Sequence, residues 1–478
     1  MMWRVALAHV VFLVSMVAAC SSPPPAPQRS ADPARALADK VTADGLYVHL
    51  HQFADIANAN GNSRADGTPG YDASVDYVAG TLRNKGFEVA TPEFDRLVMT
   101  DAGKPTLSVG GRSFPVDQAS LLATTAPGGL TAVTKRPQKP AGCSAADYGS
   151  ADVAGAIAVV DNAACSVVDK QDAAVGAGAV GLLVVSDTAM PGLFTPGYYQ
   201  QLKRPVAVIG KDVDAQLRRT NAPVRLTLDA RAATVTSRNV VAQTKTGDQH
   251  NVVVVGAHLN SVSRSPGIND NASGVAAVLE TAVQLGGSPT VPNAVRFTFW
   301  GAGDAGLEGS TKYVASLGPD GLNDVALYLN FDSIGALNAG FFTYDGDQSG
   351  QPNPDLPASR VPPGSAGIER TLAGYLNLAG VRPADMPLSR ASDYSPFLTA
   401  GIPIGGITTG ASQRKTEVQA RLWGGQAGAP FDPGYHSPRD TIDNVDRRTL
   451  SITGPAVAFA VGTYAQSTDG VNGVPARG

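Results

Sequence analysis

Asn251-Val252-Val253-Val254-Val255-Gly256-Ala257-His258-Leu259-Asn260 carries the strongest structural signal in the sequence. Its first seven residues are nearly continuously apolar between polar neighbours, as in a strand buried on both faces of a parallel sheet. Parallel neighbours require crossovers, and the downstream sequence supplies them. A helix is predicted over 272–285, stopped by Gly286-Gly287-Ser288-Pro289. Strands are predicted at Ala294–Trp300, Val325–Phe331 and around Gly405-Gly406-Ile407. Alternating apolar strands and helices point to an α/β fold of three layers, with a mostly parallel-centred sheet.

Upstream, Leu46, His49, Leu50, Phe53, Ile56 and Ala57 recur at helical spacing. A polar loop follows at 60–70, then a second helix carrying Val75, Val78 and Leu82, then a strand at Phe87–Ala90. Residues 116–237 differ in texture. Short Val/Ala/Ile runs at 156–161, 180–186 and 204–210 read as buried strands, and 169–178 as a helix of small residues.

At 478 residues, with about 150 per domain, the chain has room for two or three domains. With 43% hydrophobic residues it can bury a sizeable core, which excludes global disorder. Its formal net charge of −4 leaves no basic footprint for nucleic acid. Arg4 and the apolar run Val5–Ala19 read as a signal peptide over 1–19, too short for a span of about 20 residues. The run ends Val17-Ala18-Ala19-Cys20, which resembles a bacterial lipobox and implies a lipid on Cys20. The chain is then expected to be exported and anchored at the membrane, with 20–34 as a Pro-rich tether. In such a compartment Cys143 and Cys165 read as a disulfide in preference to two buried thiols.

The chemistry falls where strands end. His258 follows the first strand, Asp270 precedes a helix, Asp304 follows the strand ending at Trp300, and Asp332 follows Phe331. His436 arrives far downstream in Pro433-Gly434-Tyr435-His436. Ligands of open parallel sheets gather at the carboxyl ends of strands. Singly, a His after a strand is commonly structural and an Asp before a helix commonly a cap. Together, two imidazoles and three carboxylates form a set suited to zinc, with a carboxylate able to bridge two ions.

The motifs Gly256-Ala257-His258-Leu259-Asn260-Ser261, Gly267-Ile268-Asn269-Asp270-Asn271-Ala272, Trp300-Gly301-Ala302-Gly303-Asp304, Asn330-Phe331-Asp332-Ser333, Ser392-Asp393-Tyr394 and Tyr435-His436 occur in order. This region resembles the secreted di-zinc aminopeptidase family, whose wider clan includes glutamate carboxypeptidase, glutaminyl cyclase and the transferrin receptor ectodomain. The resemblance implies that His258 and Asp332 hold one zinc, that Asp304 and His436 hold the other, and that Asp270 bridges them. It also implies that Tyr435 stabilises the tetrahedral intermediate of peptide hydrolysis. Two zinc ions are expected, with one as the alternative. Residues 116–237 resemble a protease-associated domain, implying a small α/β insert rich in strands that acts as a lid or a substrate-access element. Arg64–Tyr71 resembles the family's N-terminal loop. The peptidase domain then comprises 35–115 and 238–468, with a tail at 469–478.

Three residues depart from the family pattern. Gly303 stands where the family has the glutamate general base, so that base is absent. Asp304 replaces the second glutamate and is one methylene shorter, which is expected to displace or weaken one metal site. Asn260 stands in place of an aspartate expected to support the ring of His258. Gly303→Glu is accordingly expected to raise the rate if the base is the sole defect. Glu308 reads as a solvated helix residue in preference to a replacement base. An N-terminal peptidase acting on peptides is the first reading. A non-catalytic metal- and peptide-binding protein and a mono-zinc cyclase are the alternatives, and the oligomeric state is open. No Gly-x-Ser-x-Gly elbow or phosphate loop occurs. His49 and His51 read as surface or interdomain residues, and His250 as part of a polar loop.

Overall fold

The structure is a computed structural model, and it describes residues 32–186, 201–350 and 360–475. The expected signal peptide, Cys20 and most of the tether lie outside the described residues. Among the described residues no helix is long and apolar enough to cross a membrane.

One sheet organises the larger domain. Its strands in chain order are β1 (Glu88–Ala90), β2 (Val240–Gln243), β3 (Asp248–His258), β4 (Asn293–Trp300), β5 (Val325–Asp332), β6 (Phe342–Tyr344), β7 (Ala384–Met386) and β8 (Ile404–Thr408). Their spatial order is β1-β2-β4-β3-β5-β8-β6-β7. The centre, β4-β3-β5-β8, is parallel throughout. Antiparallel pairing appears only towards the edges, β1 with β2, β2 with β4, and β6 with β8.

The apolar run of β3 works as its sequence predicts. Val253 and Val255 enter one buried cluster, Val252 and Val254 the other, all with no exposed surface. Side chains alternate across a strand, so a run apolar at every position must be covered on both sides. Helices α1 (Ala43–Ala59), α2 (Pro69–Asn84), α3 (Gly274–Leu285), α5 (Gly364–Leu378) and α6 (Arg447–Gln466) cover the first face. Helix α4 (Glu308–Asn323) and Ser395–Thr399 cover the second. The three-layer, parallel-centred arrangement is therefore present.

The insert leaves and re-enters this domain through an antiparallel ribbon. Glu93–Asp101 pairs with Arg231–Arg238, with Glu93 opposite Arg238. Just beyond it β1 pairs with β2, Glu88 opposite Gln243, so segments about 150 residues apart in sequence close one sheet. Within the insert, Val206–Ile209, Gly181–Val185, Ile157–Asp161 and Thr134–Lys135 are parallel neighbours. An antiparallel sheet of Arg112–Pro115, Thr106–Val109, Val224–Thr227 and Leu130–Ala132 packs beside them. Cys143 and Cys165 are joined by a disulfide. The Lys170 ammonium, buried beneath it, donates to the carbonyls of Ala141 at 2.9 Å and Ala163 at 2.5 Å.

Two histidines differ from their sequence reading. His49 is buried, with Nδ1 2.6 Å from the Tyr77 hydroxyl and Nε2 3.1 Å from Glu280, so it ties α1 to α2 and α3 inside the core. A helix face carrying Leu46, Leu50 and Phe53 takes its neighbour at position 49 inward with it. His250 lies within β3 and not in a loop ahead of it, and it is exposed and pairs with Asp324 at 2.8 Å.

Candidate metal centre

The carboxyl ends of β3, β4 and β5 converge, and the loop after β8 closes over them. His258 is the last residue of β3 and lies opposite Trp300, the last of β4. The turn Ile268–Ser273 ahead of α3 brings Asp270 between two imidazoles. Asp270 Oδ1 is 3.4 Å from His258 Nε2, and Asp270 Oδ2 is 3.1 Å from His436 Nε2. Asp332 Oδ1 lies 3.6 Å from His258 Nε2, and Asp304 Oδ1 lies 3.6 Å from His436 Nε2. Donor atoms of His258, Asp270 and Asp332 fall within 4.8 Å of one another, and so do those of Asp270, Asp304 and His436. The first trio is largely buried, whereas the His436 side chain is 42% exposed and that of Asp304 17%. Imidazole nitrogen with carboxylate oxygen is a donor set that fits zinc, and the two trios share Asp270.

Burial opposes charge on the His258 ring, but Asp304, Asp270 and Asp332 outweigh it and hold its pKa well above the usual value. Hydrogen bonds to Asp270 and Asp304 raise His436 to about 10. Burial pushes the Asp270 carboxyl up, and the two histidines pull it further down, well below the carboxylate range. Asp304 moves upward, from burial, against His258 and His436. Three carboxylates facing two rings make a pocket that attracts cations.

The surroundings fix this geometry. His258 Nδ1 sits 3.1 Å from the main-chain carbonyl of Asn260, which leaves Nε2 to face the carboxylates. The Asn260 side chain does not support the His258 ring as the family's aspartate is expected to, because it turns to Asp304 and donates Nδ2–H to Oδ2 at 3.0 Å. Ser333 donates to Asp332 Oδ1 at 3.1 Å. Arg64, fully buried, donates to the carbonyls of Leu259, Pro266 and Gly267 at 2.6, 2.9 and 2.6 Å, and so holds the chain between His258 and Asp270. Ala302, Ser333 and His436 adopt left-handed φ of 53, 52 and 53°, a conformation that non-glycine residues keep mainly where surrounding structure imposes it.

Around the trios lies a chamber of about 340 Å³, lined also by Gly303, Leu307, Arg390, Ser392, Asp393 and Tyr435. The Tyr435 ring stacks on His436 with centroids 3.9 Å apart. Burial, then Asp270 and Asp332, raise the Tyr435 pKa, so the phenol keeps its proton. Gly303 offers no side chain, and the space for one is taken. A Cβ there would lie 2.6 Å from His258 Cβ and 3.0 Å from His258 Cγ. The expected gain from Gly303→Glu is therefore opposed by the backbone path itself.

Glu308 contradicts its reading as a solvated residue. It is 4% exposed, its Oε1 has no hydrogen-bond partner, and burial raises its pKa against Lys312 and Arg96. It does not line the chamber. Asp393 does, although the sequence motif Ser392-Asp393-Tyr394 assigns it no separate role. It is buried, accepts a 2.6 Å hydrogen bond from Ser310, and is pushed up to about 6 by burial against the pull of His258. Its signal in the sequence was an acid just ahead of the apolar Tyr394-Ser395-Pro396-Phe397, where a solvated carboxylate is out of place.

The model of peptidase family M28 matches residues 239–461, and that of the PA domain residues 128–217. A Mycobacterium tuberculosis protein described as probable lipoprotein aminopeptidase LpqL is 49% identical over 457 residues, covering 93% of this chain and 89% of that one. An aminopeptidase of Pseudomonas aeruginosa is 37% identical over 445 residues, covering 89% and 81%. Among solved structures, the aminopeptidase from Aneurinibacillus sp. strain AM-1 superposes with a TM-score of 0.60 at 23% identity, covering 92% of this chain and 98% of that one. At that identity the likeness speaks for the fold alone.

Proposed function

The chain belongs to peptidase family M28 and carries an inserted PA domain, and from that premise we propose that it is a zinc aminopeptidase, removing N-terminal residues from peptides. The observation that carries the reading is Asp270, which turns one carboxylate oxygen to each of two imidazoles, at 3.4 and 3.1 Å. In this reading His258 and Asp332 hold one ion, His436 and Asp304 hold the other, and Asp270 serves both.

Zinc, when bound, supplies Lewis acidity and makes water an acid near neutral pH. The chain's own residues supply the rest. Asp393 is the carboxylate of the chamber that neither trio uses, and it takes the proton of the attacking water at its carboxylate oxygen. That proton passes to the leaving amine as the carbon–nitrogen bond breaks and the water oxygen bonds to carbon. Tyr435, kept protonated, donates its O–H to the oxyanion that develops. The exposed edge of His436 is where a peptide enters.

A second reading draws on Gly303. With the family's base missing and its space closed by His258, the chain holds zinc and peptide without turnover. Leucyl p-nitroanilide separates the two. An aminopeptidase releases nitroaniline, stops on chelation and restarts with zinc. Zinc-loaded protein that binds peptide yet releases nothing supports the second reading.

Export and a lipid on Cys20 complete the proposal. They are supported by Val17-Ala18-Ala19-Cys20 and by the word lipoprotein in the description of the mycobacterial relative. Cys20→Ala should free the chain from membranes, and a native chain already fully soluble contradicts the anchor.

A further inference from the structure

We propose that the three departures from the family pattern, Asn260, Gly303 and Asp304, form one interlocked unit in which Asn260 is a positioning residue that presents the shortened Asp304 carboxylate to the solvent-side ion. The proposal rests on the metal-centre reading above.

Residue 260 faces both halves of the centre. Its main-chain carbonyl orients His258 through Nδ1, at 3.1 Å. Its side chain spans the loop after β4, with Oδ1 accepting the Gly303 N–H at 2.8 Å and Nδ2 donating to Asp304 Oδ2 at 3.0 Å. Asp304 keeps Oδ1 directed to His436 Nε2, 3.6 Å away. Only an amide can do this. An ionised aspartate at 260 accepts but does not donate, and it would set a second negative charge at hydrogen-bond distance from Asp304.

Glycine at 303 is the other half of the device. The loop runs so close to His258 that an added Cβ would meet His258 Cβ at 2.6 Å and Asn260 Oδ1 at 3.4 Å. Any side chain at 303 drives the loop outward. A shorter acid at 304 needs the loop drawn inward, and the bond from Gly303 N–H to Asn260 draws it inward. Asparagine at 260, glycine at 303 and aspartate at 304 thus answer one geometric demand. Restoring a glutamate at 303 alone breaks the unit.

The test is calorimetric titration of zinc into the metal-free full-length chain, for wild type, Asn260→Leu and Gly303→Ala. Wild type should take up two ions. Asn260→Leu should lose affinity for the ion beside His436 by about 10–100-fold, the usual effect of removing a ligand's supporting partner, and keep the other unchanged. Gly303→Ala should weaken the same ion and, because its Cβ also meets His258, the other to a smaller extent. Asp332→Ala removes the other ion, so Asn260→Leu combined with Asp332→Ala should hold a single ion, with the same loss of affinity of about 10–100-fold. Asn260→Ala replaces Asn260→Leu should circular dichroism show the latter unfolded. Equal weakening of both ions, or two ions bound as in wild type by both variants, overturns the proposal. A wild-type chain that takes up no zinc overturns the metal-centre reading, and this inference falls with it.

Discussion

The carboxylate of Asp440 accepts the main-chain N–H of Asp270 at 3.0 Å. Its other oxygen accepts the N–H of Asn269 at 2.8 Å, so the loop that carries His436 is bound to the turn that carries the shared carboxylate. Asp440 is fully buried. Asp440→Ala leaves two buried donors unpartnered, at about 1–3 kcal/mol each. Urea unfolding should show a loss of about 2–6 kcal/mol, and zinc should bind more weakly at both ions, because the shared ligand moves. Unchanged metal affinity would separate the clasp from the centre.

Asp393 should act on turnover rather than on binding. Asp393→Asn is expected to lower kcat by about 10²–10⁴, the usual worth of a general base, with KM within about twofold. A base works deprotonated, so the wild-type rate should rise with pH through an acid limb at or below about 6, since bound cations pull the value down. The variant should lose that limb. A variant with wild-type kcat removes Asp393 from the chemistry.

Arg64 has no carboxylate partner in its hydrogen bonds. Its guanidinium donates to three carbonyls and lies 4.9 Å from the Phe53 ring. Arg64→Met keeps the packing and strands those carbonyls, so a loss of about 3 kcal/mol or more is expected. Arg64→Lys should recover only part of it, because an ammonium lacks the planar fork. Full recovery by lysine would show that charge, not geometry, is what position 64 supplies.

Away from the centre, Asp345, Glu369 and Asp385 cluster. Burial raises Glu369 from its usual 4.5 to about 7, against a hydrogen bond from the Asp347 N–H. The folded chain thus favours the protonated acid. Its stabilising contribution is complete below 4.5 and is lost as pH rises to about 7. Glu369→Gln should therefore melt higher than wild type at pH 8 and equally at pH 4. A variant less stable at pH 8 would refute this sign.

The legible part of the fold was the part fixed by periodicity. Val252–Val255 had to be a strand covered on both faces, and the acids and imidazoles at strand ends had to meet, because parallel strands deliver their carboxyl ends to one rim. The three-residue edge strands β6 and β7 carry too little pattern to read, and they exist by pairing with β8 and with each other. Glu308 looked solvated because a charge at a helix start usually is, but the left-handed Leu307 before it, φ 60°, turns the helix start inward. The partner of Asn260 was hidden for a different reason. A sequence motif assigns residue 260 to His258, two positions away, whereas the fold brings it 3.0 Å from Asp304, 44 positions away.

Whether five side chains hold two ions across Asp270 is decided by anomalous diffraction at the zinc edge. Crystals of the zinc-loaded chain should give two peaks about 3.5–4 Å apart, one beside His258 and Asp332, the other beside His436 and Asp304. A single peak, or two peaks away from Asp270, would contradict this arrangement.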